Sequence, residues 1–170
     1  MKNSVCLTSC ARSCCSTWFG TSRIGGKIPE TAQPLRSRAP LHPERPDLGA
    51  RETAVANGSK VSVPAEDVRN LAEGALIRLK DLGNFTASGN SLKYAGNDLA
   101  VLKQGARIMQ WAGQDSLPAD IMRPDGTVTE GVIERAALGH MGRAVQLERF
   151  GFAKLDSQRD GRILAFFMHK

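Results

Sequence analysis

Short runs of alternating apolar and polar positions begin near residue 60, whereas residues 1–38 show no sustained period of 2 or 3.6. Those first 38 positions are rich in Ser, Thr, Cys, Gly and Arg and are expected to be an irregular leader. Residues 39–51, APLHPERPDLGAR, carry prolines at 40, 43 and 46, which predicts an extended, rigid segment. Residues 60–63 then read as a short β run. Pro64-Ala65-Glu66-Asp67 starts a short helix, with proline in the first turn and acids at the positive end of the dipole; it ends by Gly74.

Strand patterns separated by turn residues follow. In residues 75–80, ALIRLK, Ile77 and Leu79 fall on one face, Arg78 and Lys80 on the other. Residues 84–95 predict a hairpin around Gly89-Asn90, and Asn97-Asp98 caps a short helix through Gln104. Residues 106–111 and 119–123 read as further strands. The pairs Asp125-Gly126 and Asp160-Gly161 each lie between apolar-rich segments, a strong hairpin signal. The first joins 121–123 to 127–133, the second 152–155 to 162–167. The fold class expected is all-β with a few short helices.

Charge changes the picture only after the chain is divided. The formal net charge is +6, but residues 1–38 hold six basic residues against one acid, and residues 39–170 hold 17 against 16. The body is therefore close to neutral, so bulk charge is weak evidence for RNA binding, and any RNA site must come from local placement of Arg and Lys. All four cysteines lie within the first 15 residues, in the order C-x3-C-x3-C-C, a poor match to paired zinc-ligand spacing. No apolar stretch approaches the roughly 20 residues of a membrane span, and no signal-peptide h-region is present, so a soluble, cytoplasmic protein with no membrane partner is expected.

Several strings then occur in the order of one known region. LHPERPDLGAR (41–51) is similar to an HP-x-x-P-x-x-G-x-R segment, and GALIRLKDLGN (74–84) to an R-L-[KR]-[DN] strand. RIMQWAGQ (107–114) resembles a strand that usually ends in His-Trp, with Gln110 in place of the His. MRPDGTVTEGVIE (122–134), GRAVQLERFGFAKLD (142–156) and the tail AFFMHK (165–170) complete the series. Together they resemble the C-terminal anticodon-binding region of the class I glutamyl/glutaminyl-tRNA synthetases, in the archaeal glutamyl form.

That resemblance implies two β-barrels set end to end. The proximal barrel would comprise about 39–66 plus 125–170, with the distal barrel, 67–124, inserted between. It implies tRNA, through its anticodon arm, as the partner. It also assigns RNA-reading roles to Arg78 and Lys80 in R-L-K and to Gln146 and Arg149 in V-Q-L-E-R, with Arg69 a looser match. A Gln amide offers a donor and an acceptor to one base edge, and an Arg fork binds a base or phosphate in two places. Without the resemblance, Arg78 and Lys80 read equally as the solvated face of a strand, and Glu148 and Arg149 as surface ion-pair partners. Residues 146 and 149 differ by three, so joint contact needs a bulge, a strand end or a bend. Trp111 reads as core, with a stacking platform as the alternative.

Catalytic constellations are missing from the sequence. Neither H-x-G-H nor K-M-S-K-S occurs, and Gly139-His140-Met141-Gly142 has the wrong order. His42, His140 and His169 lack metal-ligand spacing. No cofactor or metal is expected for this chain, and ATP and Mg would belong to the catalytic domain of a parent glutamate–tRNA ligase. The leader, unlike the family before HP-x-x-P, suggests a truncated or frame-shifted synthetase gene, or a subunit whose catalytic part is encoded separately. The alternative function is a stand-alone structural RNA-binding protein resembling the ribosomal 5S-rRNA-binding barrel proteins. A protein–protein module is a third reading.

Overall fold

This computed structural model describes residues 35–40 and 50–170, apart from positions 57, 70 and 90. Its elements in order are β1 (Leu35–Pro40), β2 (Ala50–Val55), α1 (Ala65–Arg69), β3 (Leu76–Leu79), β4 (Gly83–Ser88) and β5 (Ser91–Tyr94). There follow α2 (Ala100–Lys103), β6 (Arg107–Met109), β7 (Leu117–Met122), β8 (Val128–Ile133), a 3-10 helix at Arg135–His140, β9 (Ala144–Leu147), β10 (Gly151–Arg159) and β11 (Arg162–His169). The molecule is mostly β with a few short helices, the class that the alternation predicts.

Both Asp-Gly pairs turn hairpins. Asp125-Gly126 joins β7 to β8, and Asp160-Gly161 joins β10 to β11, where both residues have positive φ, 51° and 75°. Two positive φ values give the turn whose twist matches that of the flanking strands. The 84–95 hairpin is β4–β5, and Ala100 N–H donates to the Asp98 carboxylate at 2.9 Å at the start of α2.

The strands form a two-stranded sheet, β1-β2, a four-stranded sheet in the order β5-β4-β3-β6, and a five-stranded sheet in the order β8-β7-β11-β10-β9. Parallel pairing occurs in β3–β6 and β7–β11, each spanned by intervening elements, as a parallel pair requires. Two apolar clusters result. Ile77, Leu79, Phe85, Leu92, Met109 and Trp111 centre the first, with Val55, Val61 and Val63 packed among them. The second centres on Ile121, Ile133, Leu147, Leu155 and Ile163.

Two expectations need correction. Leu35–Arg38, placed by the sequence reading in the irregular leader, lie in β1 and pair with residues of β2. The rest of that leader, and most of the proline segment, lie outside the described residues. Residues 60–63 form isolated bridges in place of a strand: Val61 and Ser62 are bridge residues, and Ser62 pairs with Ala112 through hydrogen bonds of 2.8 and 2.9 Å. Among the described residues the larger sheets are open: β5 and β6 edge one, β8 and β9 the other, and neither closes into a ring.

Candidate nucleic-acid interface

The alternation in β3 places Ile77 and Leu79 in the core and leaves Arg78 half-buried on the opposite face. Arg78 donates from Nη1 to Asn84 Oδ1 at 2.7 Å and from Nη2 to Asn97 Oδ1 at 2.9 Å. Asn84 is fully buried and donates in turn to the Asp98 carbonyl at 2.8 Å, so the Arg78 guanidinium is held by a satisfied polar network. Lys80 follows the end of β3. Its backbone is fixed from both sides: its N–H donates to Met109 O at 3.0 Å, and its carbonyl accepts from Trp111 Nε1 at 2.9 Å. Trp111 is thus a core residue with its one polar atom satisfied, and its burial leaves no face for base stacking.

The turn between β9 and β10 brings the second half of the site to the first. Lys80 Nζ pairs with Glu148 across 68 positions of sequence. Arg149 Nη1 pairs with Asp67 Oδ2 at 2.7 Å across 82 positions, and its Nη2 reaches Ile108 O at 3.5 Å. Ile108 is itself the strand partner of Arg78. Arg107 Nη2 approaches the other Asp67 oxygen at 3.4 Å. Lys80, Arg107 and Arg149 therefore meet at the seam of the two larger sheets, paired with Glu148 and Asp67, and Arg78 stands on the neighbouring strand position to Ile108.

Residues 146 and 149 stand on either side of a strand end. Gln146 sits on β9 between buried Val145 and Leu147, so its half-buried side chain lies on the outer face, opposite Phe152 in the register. Arg149 lies beyond β9, in the turn, with φ of 63°. Its neighbour Phe150 meets Phe167 edge-on at 5.5 Å, and the Arg123 guanidinium lies over the Phe150 ring at 4.8 Å. These contacts fix the turn from the side away from Asp67. Phe152 stacks on His169 at 4.7 Å, which extends the Gln146 row. Arg69, exposed at the end of α1, makes none of the seam contacts described above.

The sequence did not single out Asp67 or Arg107 as partners in the seam, nor Asn84 as the acceptor that holds Arg78. Asp67 reads from the sequence as an ordinary first-turn acid, and only its burial distinguishes it. Among the described residues no group of three or more His, Cys, Asp and Glu is placed to hold a metal, and no helix is long and apolar enough to cross a membrane.

The described residues thus form a mostly β region of open sheets, with Lys80, Arg107 and Arg149 making the contacts at the seam. The family described as tRNA synthetases class I (E and Q), anti-codon binding domain, matches residues 23–103 of this chain. Among curated proteins it is 38% identical over 137 residues to the glutamate–tRNA ligase of Methanocella arvoryzae, covering 78% of this chain and 24% of that protein. It is 37% identical over 142 residues to that of Methanocorpusculum labreanum, and 31% identical over 140 residues to that of Thermoplasma volcanium, covering 82% of this chain each time. The chain spans 24% of the length of each of these relatives.

Proposed function

We propose that this chain is the anticodon-reading part of a glutamate–tRNA ligase of the archaeal kind, working in the cytoplasm on the anticodon arm of tRNA. The observation that carries the reading is the meeting of Lys80 with the β9–β10 turn, which brings Arg149 near the end of β3, where Arg78 and Lys80 stand, although the turn lies far away in sequence. Anticodon bases are unstacked, and a protein reads them by edge contacts while Arg and Lys hold the phosphates. Gln146 and Arg149 supply the edge-reading groups, and Arg78 and Lys80 supply cationic support; Arg69 is a peripheral phosphate contact. On this reading the sheets are the walls of two end-to-end barrels, about 39–66 plus 125–170 and about 67–124. ATP and Mg act in the catalytic part of the ligase, whether joined to this region or encoded separately.

The test is fluorescence anisotropy with a labelled anticodon stem-loop of glutamate tRNA, challenged by a loop of altered anticodon and by 5S rRNA. Binding weakened by the altered anticodon and little affected by 5S rRNA supports the proposal. Preference for 5S rRNA would replace it with the ribosomal-type reading. Recognition without a catalytic site lowers no barrier, so the chain alone is expected to form no glutamyl-tRNA.

A further inference from the structure

We infer that Asp67 is a positioning residue of the RNA site, a buried carboxylate whose task is to hold the guanidinium groups of Arg149 and Arg107 where RNA meets them. The inference rests on the anticodon-reading proposal and adds to it a residue that itself faces away from the RNA.

The geometry separates inside from outside. The Asp67 side chain is 5% exposed, whereas those of Arg107 and Arg149 are 53% and 46% exposed. Each carboxylate oxygen takes one arginine: Oδ2 accepts from Arg149 at 2.7 Å, and Oδ1 accepts from Arg107 at 3.4 Å. A guanidinium has five N–H donors, and each of these arginines offers Asp67 a single nitrogen. Donors therefore remain on the exposed side of both groups for a second anionic or base-edge acceptor.

The seat of the carboxylate is rigid. Asp67 N–H and Val68 N–H both donate to Pro64 O, at 3.0 and 3.1 Å, and Val68 and Leu71 pack on the first core cluster. What Asp67 holds is less constrained by itself. Arg149 sits at φ 63° in the β9–β10 turn, a conformation that a residue with a side chain keeps only where its surroundings enforce it. Phe150 anchors that turn on one flank, and Asp67 anchors it on the other. Three segments distant in sequence, α1, β6 and the β9–β10 turn, thus meet on one buried acid.

Charge and geometry predict opposite signs, which makes the inference testable. Removing an acid beside an RNA site raises local positive charge, and by electrostatics alone it tightens RNA binding. A positioning role predicts weaker binding. The experiment measures stem-loop affinity of the whole chain for wild type, Asp67→Asn, Arg149→Ala and the double variant, with thermal unfolding of each. Asp67→Asn is expected to weaken binding roughly tenfold, in the range for residues sharing one ion-pair network, and to have little further effect once Arg149 is gone. Tighter or unchanged binding by folded Asp67→Asn overturns the inference, as does an undiminished loss in the Arg149→Ala background.

Where Asp67→Asn does not fold, Asp67→Glu carries the same arms, because it keeps the charge and displaces the carboxylate by one methylene. Weaker binding that disappears in the Arg149→Ala background is again expected, and wild-type affinity overturns the inference. A second readout separates this inference from the function it rests on. In RNA-free protein, the Arg149 and Arg107 side-chain N–H signals in NMR are expected to be slowly exchanging and dispersed in wild type, and averaged in the Asp67 variant. If wild type binds no stem-loop, the anticodon proposal fails, while these signals still decide whether Asp67 orders the arginines. Signals identical in wild type and variant overturn the positioning role.

Discussion

Truncating Arg149 to alanine perturbs folding and binding by separable amounts. On the folding side, the variant loses a 2.7 Å charge-assisted hydrogen bond to a carboxylate that is 5% exposed, and Asp67 retains only Arg107 at 3.4 Å. A buried acid that loses a partner costs several kcal/mol when nothing replaces it, but here a second arginine remains and the Arg149 head is half in solvent. The expected loss of stability is therefore about 1–2 kcal/mol. Alanine is strained at φ 63° much as arginine is, so the backbone contributes little to the difference. On the binding side, loss of an Arg that contacts a base or phosphate is expected to weaken stem-loop binding by about 1–3 kcal/mol, or about 5- to 150-fold. Urea unfolding measures the first quantity, and anisotropy titration at fixed salt measures the second. A folded variant that binds at low salt with wild-type affinity refutes the assignment of Arg149 to the RNA face. A loss equal for every anticodon tested shows phosphate holding in place of base reading.

Three further outcomes follow from neighbouring geometry. Asn84→Ala deprives Arg78 of its 2.7 Å acceptor and the Asp98 carbonyl of its donor inside the core, and is expected to cost about 1–3 kcal/mol in urea unfolding; unchanged stability refutes the network. Gly151→Ala places a Cβ 2.5 Å from the His169 carbonyl at φ 133°, and is expected to lower stability by about 2–3 kcal/mol, read by thermal unfolding. The Asp125 carboxyl is held below its ordinary 3.8 by hydrogen bonds from the Thr127 hydroxyl and N–H, and less so by Arg123. A depressed carboxyl stabilises the turn fully above its unfolded value and loses that contribution as pH falls through the lower folded value. In Thr127→Ala, the Asp125 titration followed by NMR is expected to move up toward 3.8, and an unmoved titration refutes the cause.

Local chemistry was legible where one segment settles its own structure. Asp160-Gly161 specifies a turn with two positive φ values, and alternation in residues 76–80 specifies which side of β3 carries charge. The open form of the sheets was not legible, nor was the pairing of Leu35–Pro40 with β2, because strand pairing depends on partners that a local pattern does not name. The site divides in the same way. Arg78, Lys80, Gln146 and Arg149 stand in recognisable strings, as do Asn84 and Glu148, but the strings do not say which residues pair. Lys80 and Glu148 are 68 positions apart, Arg149 and Asp67 are 82 apart, and no periodicity connects such distances. Asp67 carries a further disguise, since an acid after a helix-starting proline has a sufficient local explanation in the dipole.

The two acids at the seam differ in a way that bears on how RNA enters it. Lys80 and Glu148 are 39% and 28% exposed, so their attraction is screened by water and salt. In the proposed complex, exchanging Glu148 for a phosphate at Lys80 then costs little, and the lysine ammonium, a compact point charge, serves either partner without fixed geometry. Asp67 is enclosed by its helix and by both arginines, and a phosphate cannot take its place from outside. The seam thus combines an exchangeable counter-ion with a fixed one. Lys80 can give up its partner to RNA, while Arg149 keeps its own and presents its remaining donors from a defined position, which is the arrangement that base-edge reading requires.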